Sequence, residues 1–222
     1  MTPLWRRAAA EAVGSMLLTG VVIGSGVLAQ RFAAGNDAVA LLGNTLATAA
    51  ILYVLITALG PVSGAHFNPA VTFAVALTGA MPASAALVFV AVQVAGCVAG
   101  AMLAHAMFDL PLIQTATQTR AGFSIALSEA TATFMLVFAI FCVSRWRGEA
   151  VAAAVALTIA AGYWWTASTS FANPAITIAR ALSDTFAGVR LQDAPAMIAS
   201  QFAGALAGLA AARVLTPGPS NT

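Results

Sequence analysis

Six apolar segments, each near the length that crosses a lipid bilayer as a helix, constrain the fold of this chain more than any other feature. A helix needs about 20 apolar residues to span the hydrocarbon core. The breaks between the segments contain glycine, proline, asparagine or charged residues, which are typical of loops. An even number of spans places both chain ends on the same side of a membrane. The six predicted spans are residues 8–30, 39–59, 83–108, 123–143, 150–167 and 194–215.

The composition agrees with an integral membrane protein. Only 7% of the 222 residues are charged and the mean hydropathy is +0.93, whereas a soluble domain has about 25% charged residues. The net charge of +2 is too small and too scattered to indicate a nucleic-acid partner. Cys97 and Cys142 lie in apolar runs without metal-ligand spacing, so we expect no metal site and no cofactor. We therefore predict an all-α membrane protein that has lipid as a partner.

Two further apolar patterns, residues 66–78 and 173–182, are helical in character but too short to cross a membrane. Each contains the tripeptide Asn-Pro-Ala. Asparagine is a favoured N-cap and proline is accepted at the first helical position, so each tripeptide predicts the start of a helix. Short apolar helices in matching places are typical of re-entrant half-helices in an inverted repeat. The two tripeptides are Asn68, Pro69 and Ala70, and Asn173, Pro174 and Ala175.

Two other correspondences support an internal repeat. Glu11 and Glu129 lie near the start of the first span of each half, and Gln93 and Gln201 each begin a Gln-x-x-Gly-x-x-x-Gly pattern in the third. Three spans per half invert the second copy, so the two half-helices enter from opposite faces and meet near the midplane. We predict one channel domain over residues 1–222, with repeats at about 8–108 and 123–215 and a flexible tail at 216–222.

The paired tripeptides predict a pore that passes neutral solutes. When the side-chain oxygen of each asparagine caps its own half-helix, the amide N–H groups are free to face a passing molecule. Two opposed helix N-termini also place about half a positive charge each at the same level. Such a site repels cations and donates hydrogen bonds to hydroxylated solutes.

Glu11, Glu129, Gln93 and Gln201 are predicted to brace the re-entrant loops. A carboxylate within a span is costly and usually faces the protein interior with a partner, and the loops supply backbone N–H groups that have no helical acceptor. Solvation near a membrane surface and proton coupling are the alternatives for the two glutamates. A bundle seam is the alternative for the two glutamines.

The segments SGAHFNPAVT and SFANPA, the early glutamate of each half and the two Gln-x-x-Gly segments resemble the aquaporin and aquaglyceroporin superfamily, the major intrinsic proteins. The resemblance covers about residues 8–215. It implies a right-handed bundle of six transmembrane helices and two re-entrant half-helices, a pore in each subunit, a homotetramer, and passive flux of water or small neutral solutes. It also implies that the protein is not an enzyme.

The resemblance further implies a second constriction on the outer side of the asparagine pair. Counting from the two asparagines, its wall falls on Thr48, Ala161, Ser170 and Ile176, with Tyr163 or Trp164 as alternatives to the second of these. The arginine that the family carries here is replaced by isoleucine, so we expect a wider and less polar ring than in a water-selective channel.

Arg180 follows Ile176 by one helical turn, about 6 Å at 1.5 Å per residue. Two interpretations stay open for its side chain. It acts as a displaced cation in the outer vestibule, or it pairs with Asp184 at i+4 or with a lipid headgroup.

The combination of NPAITIAR and ALSDTFAG is similar to the aquaporin-like channels associated with bacterial arsenic resistance. This similarity implies arsenite or methylated arsenicals as solutes, ahead of glycerol-like polyols and water. A water-selective pore with an altered filter and a gradient-coupled secondary transporter are the alternatives. A small excess of arginines on the side of the termini favours cytoplasmic ends, and we expect a multi-pass protein of the bacterial inner (plasma) membrane.

Overall fold

The computed structural model describes residues 2–216, in which every regular element is helical. A 3-10 turn at Gly148–Ala150 precedes α6. Residues 217–222 of the predicted tail lie outside the described residues. The eight α-helices are α1 (Leu4–Phe32), α2 (Asp37–Ser63), α3 (Pro69–Leu77), α4 (Ala83–Met107), α5 (Phe123–Trp146), α6 (Val151–Trp165), α7 (Pro174–Arg180) and α8 (Ala194–Leu215).

Five of these helices, α1, α2, α4, α5 and α8, are long and apolar enough to cross a membrane. The remaining predicted span, residues 150–167, corresponds to α6, which has 15 residues. At 1.5 Å per residue α6 is about 22 Å long, shorter than the hydrocarbon core. It packs against α2 and α5 and completes the bundle. Trp164 and Trp165 are exposed at its end, where aromatic side chains typically meet the membrane interface.

The most extensive helix contacts are those of α1 with α4 and of α5 with α8, the first and third spans of each half of the chain. Four glycines make this approach possible, because a Cβ atom at any of them would overlap a backbone carbonyl oxygen of the opposite helix. The glycines are Gly96, Gly100, Gly204 and Gly208, and the carbonyls are those of Ala12, Met16, Ala130 and Phe134. The predicted Gln-x-x-Gly-x-x-x-Gly segments therefore form the two helix seams.

The short helices α3 and α7 begin at the two tripeptides. The Asn68 side chain accepts a hydrogen bond from the backbone N–H of Ala70 at 2.9 Å, and the Asn173 side chain accepts one from Ala175 at 3.0 Å. A proline occupies the first helical position of both. The two helices are in contact, so the inverted half-helices meet inside the bundle as predicted.

Candidate pore and selectivity filter

A cavity of about 230 Å³ lies in the centre of the bundle and is lined by α1, α2, α5, α6, the two half-helices α3 and α7, and the loops that precede them. Ser144 and Val151 line its end on the side of the chain termini, where α5 ends and α6 begins. Thr48, Tyr163 and Arg180 line the opposite end, which we call the outer end. The cavity therefore reaches through most of the thickness of the bundle.

Asn68 and Asn173 line the middle of this cavity and are tied to the opposite loops. The amide nitrogen of Asn68 donates to the carbonyl of Ala172 at 2.7 Å, and that of Asn173 donates to the carbonyl of Phe67 at 2.8 Å. These reciprocal bonds hold the two asparagines at one level. Because a primary amide has two N–H donors, each asparagine keeps a second donor for the cavity.

The loops before α3 and α7 have the same unusual backbone. Non-glycine residues rarely adopt a positive φ, yet two do so at matching positions of each loop. The φ angles are 51° at Ala65, 48° at Phe67, 54° at Ser170 and 48° at Ala172. Such residues are held in place by the surrounding contacts, which makes the braces around these loops important.

Glu11 braces the first loop and is fully buried. Its carboxylate accepts bonds from the backbone N–H groups of His66 at 3.0 Å and Phe67 at 2.7 Å. It also accepts bonds from the hydroxyl of Ser63 at 2.6 Å and from Nε2 of Gln93 at 2.8 Å. The alternative of a glutamate solvated at a membrane surface does not agree with this burial.

Glu129 occupies the equivalent place in the second half and is also fully buried. It accepts bonds from the backbone N–H groups of Phe171 at 3.0 Å and Ala172 at 2.9 Å, and from Nε2 of Gln201 at 2.6 Å. Gln201 also donates to Thr177 at 2.9 Å. The four predicted bracing side chains therefore lie against the re-entrant segments, and neither glutamine is a seam residue alone.

Three of the four positions predicted for the outer ring line the cavity, namely Thr48, Ser170 and Ile176. The prediction of Ala161 is wrong, because this residue is exposed on the outside of α6 and Tyr163 lines the cavity instead. At about 100° per residue, a shift of two residues turns a side chain to nearly the opposite helix face. The Tyr163 hydroxyl lies 3.3 Å from the Thr48 hydroxyl. Trp164, the other alternative, is half exposed.

Arg180 lies at the outer end of the cavity and is only 3% exposed. Its Nε atom donates to the carbonyl of Ala187, and its guanidinium carbon lies 3.3 Å from the centre of the Phe171 ring. The alternative pairing with Asp184 is not observed. The Asp184 carboxylate instead accepts bonds from the backbone N–H and the hydroxyl of Thr117, at 2.9 and 2.8 Å.

Arg120 is a further residue at this end that the sequence did not reveal. It lies in the loop between α4 and α5 and donates to the carbonyls of Ser168 at 3.2 Å and Gly188 at 2.9 Å. Burial lowers its pKa below the ordinary arginine value, while the side chain remains cationic near neutral pH. Nothing in its sequence surroundings distinguishes it from the other loop arginines.

Comparisons with known proteins agree with this geometry. Residues 1–147 match the family described as Major intrinsic protein. Aquaglyceroporin AqpS of Rhizobium meliloti (strain 1021) is 49% identical over 212 residues, which cover 96% of this chain and 91% of that protein. Aquaporin NIP2-2 of Zea mays is 31% identical over 193 residues, covering 84% of this chain and 65% of that protein.

A solved structure shows the same fold. The X-ray structure of the aquaglyceroporin from Plasmodium falciparum superimposes with a TM-score of 0.72 and covers 97% of this chain and 96% of its own. The sequence identity is 16%, so this likeness concerns the fold alone. The match to the family ends before the second Asn-Pro-Ala, the region in which Ile176 departs from the family pattern.

Proposed function

This chain belongs to the major intrinsic protein family, and we propose that within it the chain passes arsenite or methylated arsenicals and glycerol-like polyols, with some water. Family membership establishes the broader statement that it is a membrane channel for small neutral solutes and not an enzyme. The observation that carries the finer proposal is the outer ring, in which Ile176 stands where the family pattern has an arginine.

The chemistry of the ring favours the passage of solutes larger than water. Thr48, Tyr163 and Ser170 contribute three hydroxyl groups to the cavity wall, and Ile176 contributes an apolar surface. An arginine in place of the isoleucine would add a fixed cation and five N–H donors across the same opening. Neutral arsenite and glycerol each carry three hydroxyl groups and need both hydrogen-bond partners and width. Both therefore suit a ring of this composition.

The midplane supports exclusion of cations. Asn68 and Asn173 present their second amide donors to the cavity, and the N-termini of α3 and α7 add the positive ends of two helix dipoles. A neutral hydroxylated solute gains hydrogen bonds at this level, whereas a cation meets the positive ends of the two dipoles, and no carboxylate is among the described residues that line the cavity. We assign this pair as the pore donors of the channel.

The setting we propose is the inner (plasma) membrane of a bacterium, with both termini cytoplasmic and four subunits in the assembly. Large apolar side chains on the outside of the helices, such as Leu46, Leu87 and Leu157, are suited to lipid or to neighbouring subunits. The relative in Rhizobium meliloti is bacterial and carries the name aquaglyceroporin. Each subunit has its own cavity, so flux does not require a pore between subunits.

Stopped-flow light scattering of proteoliposomes tests the function. We expect wild-type protein to accelerate the entry of glycerol and of arsenite at neutral pH well above the rate of empty liposomes, with a smaller gain for water. The solute flux should not change when a proton or sodium gradient is imposed. Fast water flux without glycerol or arsenite flux would support a water-selective pore, and flux driven by a gradient would support a secondary transporter.

A further inference from the structure

Arg180 carries hydrogen-bond donors that the protein does not use. A guanidinium has five N–H donors, and the Nε donor of Arg180 is bound to the carbonyl of Ala187. Its four terminal donors find no acceptor among residues 2–216, although the residue is 97% buried. A buried cation with free donors is costly unless something else accepts them. Since Arg180 lines the outer end of the cavity, that acceptor is the content of the pore.

The same side chain is fixed in position. The Ala187 carbonyl holds it from the loop after α7, and the ring of Phe171 lies against its guanidinium. Phe171 is 96% buried, and its backbone N–H is bound to Glu129. A guanidinium over an aromatic face is stabilised by the ring quadrupole. Arg180 therefore presents a rigid charge to the cavity and not a mobile one.

Arg120 contributes to this arrangement through Phe171. Its guanidinium carbon lies 5.1 Å from the centre of the Phe171 ring. Its bonds to the carbonyls of Ser168 and Gly188 tie the second re-entrant loop to the loop that follows α7. These are the two segments that hold Arg180. Arg120 is thus placed to position Arg180 without lining the cavity itself.

We propose that Arg180 is the specificity-determining cation of this pore, that it binds the oxygen atoms of the solute at an outer subsite completed by Thr48 and Tyr163, and that Arg120 positions it. The proposal rests on the channel function proposed above. It separates two tasks that one filter arginine would combine. Ile176 sets the width of the ring. Arg180, one turn further out, repels cations and donates hydrogen bonds to the solute.

This separation has a physical consequence for selectivity. A charge set about 6 Å along the helix axis from the ring raises the energy of a cation that approaches the ring without narrowing it. A neutral polyol or arsenite can exchange water for guanidinium donors before it enters the ring. Loss of the charge should therefore affect cation leakage and the saturation of solute flux more than the size limit.

The test uses full-length protein in proteoliposomes, with sodium leakage and the concentration dependence of glycerol flux as readouts. Arg180→Gln removes the charge and keeps similar length, and Arg180→Lys keeps the charge. Arg31→Gln is the matched control, because Arg31 is an exposed arginine at the outer end of α1. We expect Arg180→Gln to raise sodium leakage by about tenfold and to weaken the saturation of glycerol flux. Arg180→Lys should restore sodium exclusion, and Arg31→Gln should behave as wild type.

The second variant is Arg120→Gln, for which we expect the same direction of change at a smaller size, with glycerol still admitted. If Arg180→Gln keeps wild-type leakage and saturation in correctly assembled protein, or if Arg180→Lys leaks as much as Arg180→Gln, the assignment of Arg180 is wrong. An unchanged Arg120→Gln would remove the positioning role. Absence of glycerol and arsenite flux in the wild type would instead overturn the proposed function, and this assignment with it.

Discussion

The two re-entrant loops, residues 64–68 and 166–173, follow one plan but are anchored differently. At each loop, the hydroxyl of the serine five residues before the asparagine accepts a hydrogen bond from a backbone N–H. Ser63, the last residue of α2, accepts from Ala65, and Ser168 accepts from Ser170. The Ser63 hydroxyl also donates to the carboxylate that braces its own loop. In the second loop the carbonyl of Ser168 is held instead by Arg120, from 48 residues earlier in the chain.

This difference separates two parts of the pore: one is formed by residues that recur in both halves, and the other by residues that do not. The meeting of the half-helices depends on a glutamate, an asparagine and a glutamine that occur in the same order in both halves. The outer end depends in addition on Arg120 and on the carbonyl of Ala187, which lie in loops outside the repeated pattern. We infer that the common scaffold forms the pore and that the outer loops adjust its selectivity.

The largest expected effect is the loss of a bracing carboxylate. Glu11→Ala leaves two backbone N–H groups, a hydroxyl and an amide without an acceptor, so we expect it to cost about 3 kcal/mol or more. Glu129→Ala should be damaging but less so, because Arg120 still anchors the second loop. The fraction of assembled protein that remains after heating in detergent, measured by size-exclusion chromatography, gives the stability of both variants.

The control is Glu149→Ala. Glu149 is exposed and pairs only with Arg147 in the 3-10 turn, and such surface pairs contribute at most about 1 kcal/mol. Glu129→Ala protein that is less stable than Glu11→Ala would contradict the idea that the second loop has an independent anchor. Wild-type stability in both variants would remove the bracing role altogether.

The next effect concerns the two asparagines, which the reciprocal bonds make equivalent. Asn68→Ala and Asn173→Ala each remove a cap, a pore donor and a bond to the opposite loop. We expect both to reduce solute flux or increase cation leakage by a similar factor while the bundle still assembles. Stopped-flow and sodium leakage in proteoliposomes give the comparison.

Asn36→Ala separates the capping role from the pore role. Asn36 caps α2 by accepting from the backbone N–H groups of Ala38 and Val39, but it is exposed and distant from the cavity. This variant should lose about 1 kcal/mol of stability and keep wild-type flux. Full flux and full cation exclusion in both pore variants would mean that the asparagines are only helix caps.

A smaller and more selective effect is expected at the third residue after each asparagine. Ile176 and Val71 both line the cavity, on opposite sides of the midplane. Ile176→Arg should narrow the outer ring and reduce glycerol or arsenite permeability by about tenfold more than water permeability. Val71→Arg should change the ratio of glycerol to water permeability less. Position 71 lies on the inner side of the midplane, whereas the ring hydroxyls of Thr48, Tyr163 and Ser170 lie on the outer side.

Ile176→Met, which keeps a similar volume and adds no charge, controls for the substitution itself. An equal change of the glycerol-to-water permeability ratio in Val71→Arg and Ile176→Arg would show that selectivity is not restricted to the outer ring. An unchanged ratio in Ile176→Arg together with a changed ratio in Arg180→Ala would move the filter from Ile176 to Arg180.

The sequence predicted those parts of the molecule that local chemistry determines. An Asn-Pro pair in an apolar segment favours the start of a helix, so the starts of α3 and α7 followed from Asn68 and Asn173. Both helices end before the predicted limits at 78 and 182. A carboxylate within a span must find buried donors, and the nearest donors without helical partners were those of the loops. The contacts of Glu11 and Glu129 follow from that requirement.

The parts that could not be predicted depend on helix register and on the paths of loops. The apolar run of α6 has no charged or capping residue to fix its rotation, so the count reached Ala161 when Tyr163 faces the cavity. Arg120 reaches the second loop only because the segment between α4 and α5 folds over the outer end. A single sequence does not determine such long-range placement.

The smallest expected effect on flux is that of thiol reagents, which also compare the two loops directly. Neither Cys97 nor Cys142 lines the cavity, so mercurials should leave most of the wild-type flux intact. Ser170→Cys and Ala65→Cys place a thiol at the same offset in each loop, where both residues line the cavity with nearly equal φ. A membrane-impermeant thiol reagent added outside should block Ser170→Cys faster, because Ala65 lies beyond the asparagine pair. Strong wild-type block that persists in a Cys97→Ala/Cys142→Ala variant would show that the reagent acts at a residue other than a cysteine. Equal external block of the two new cysteines would contradict the placement of the narrow ring on the side of the second loop.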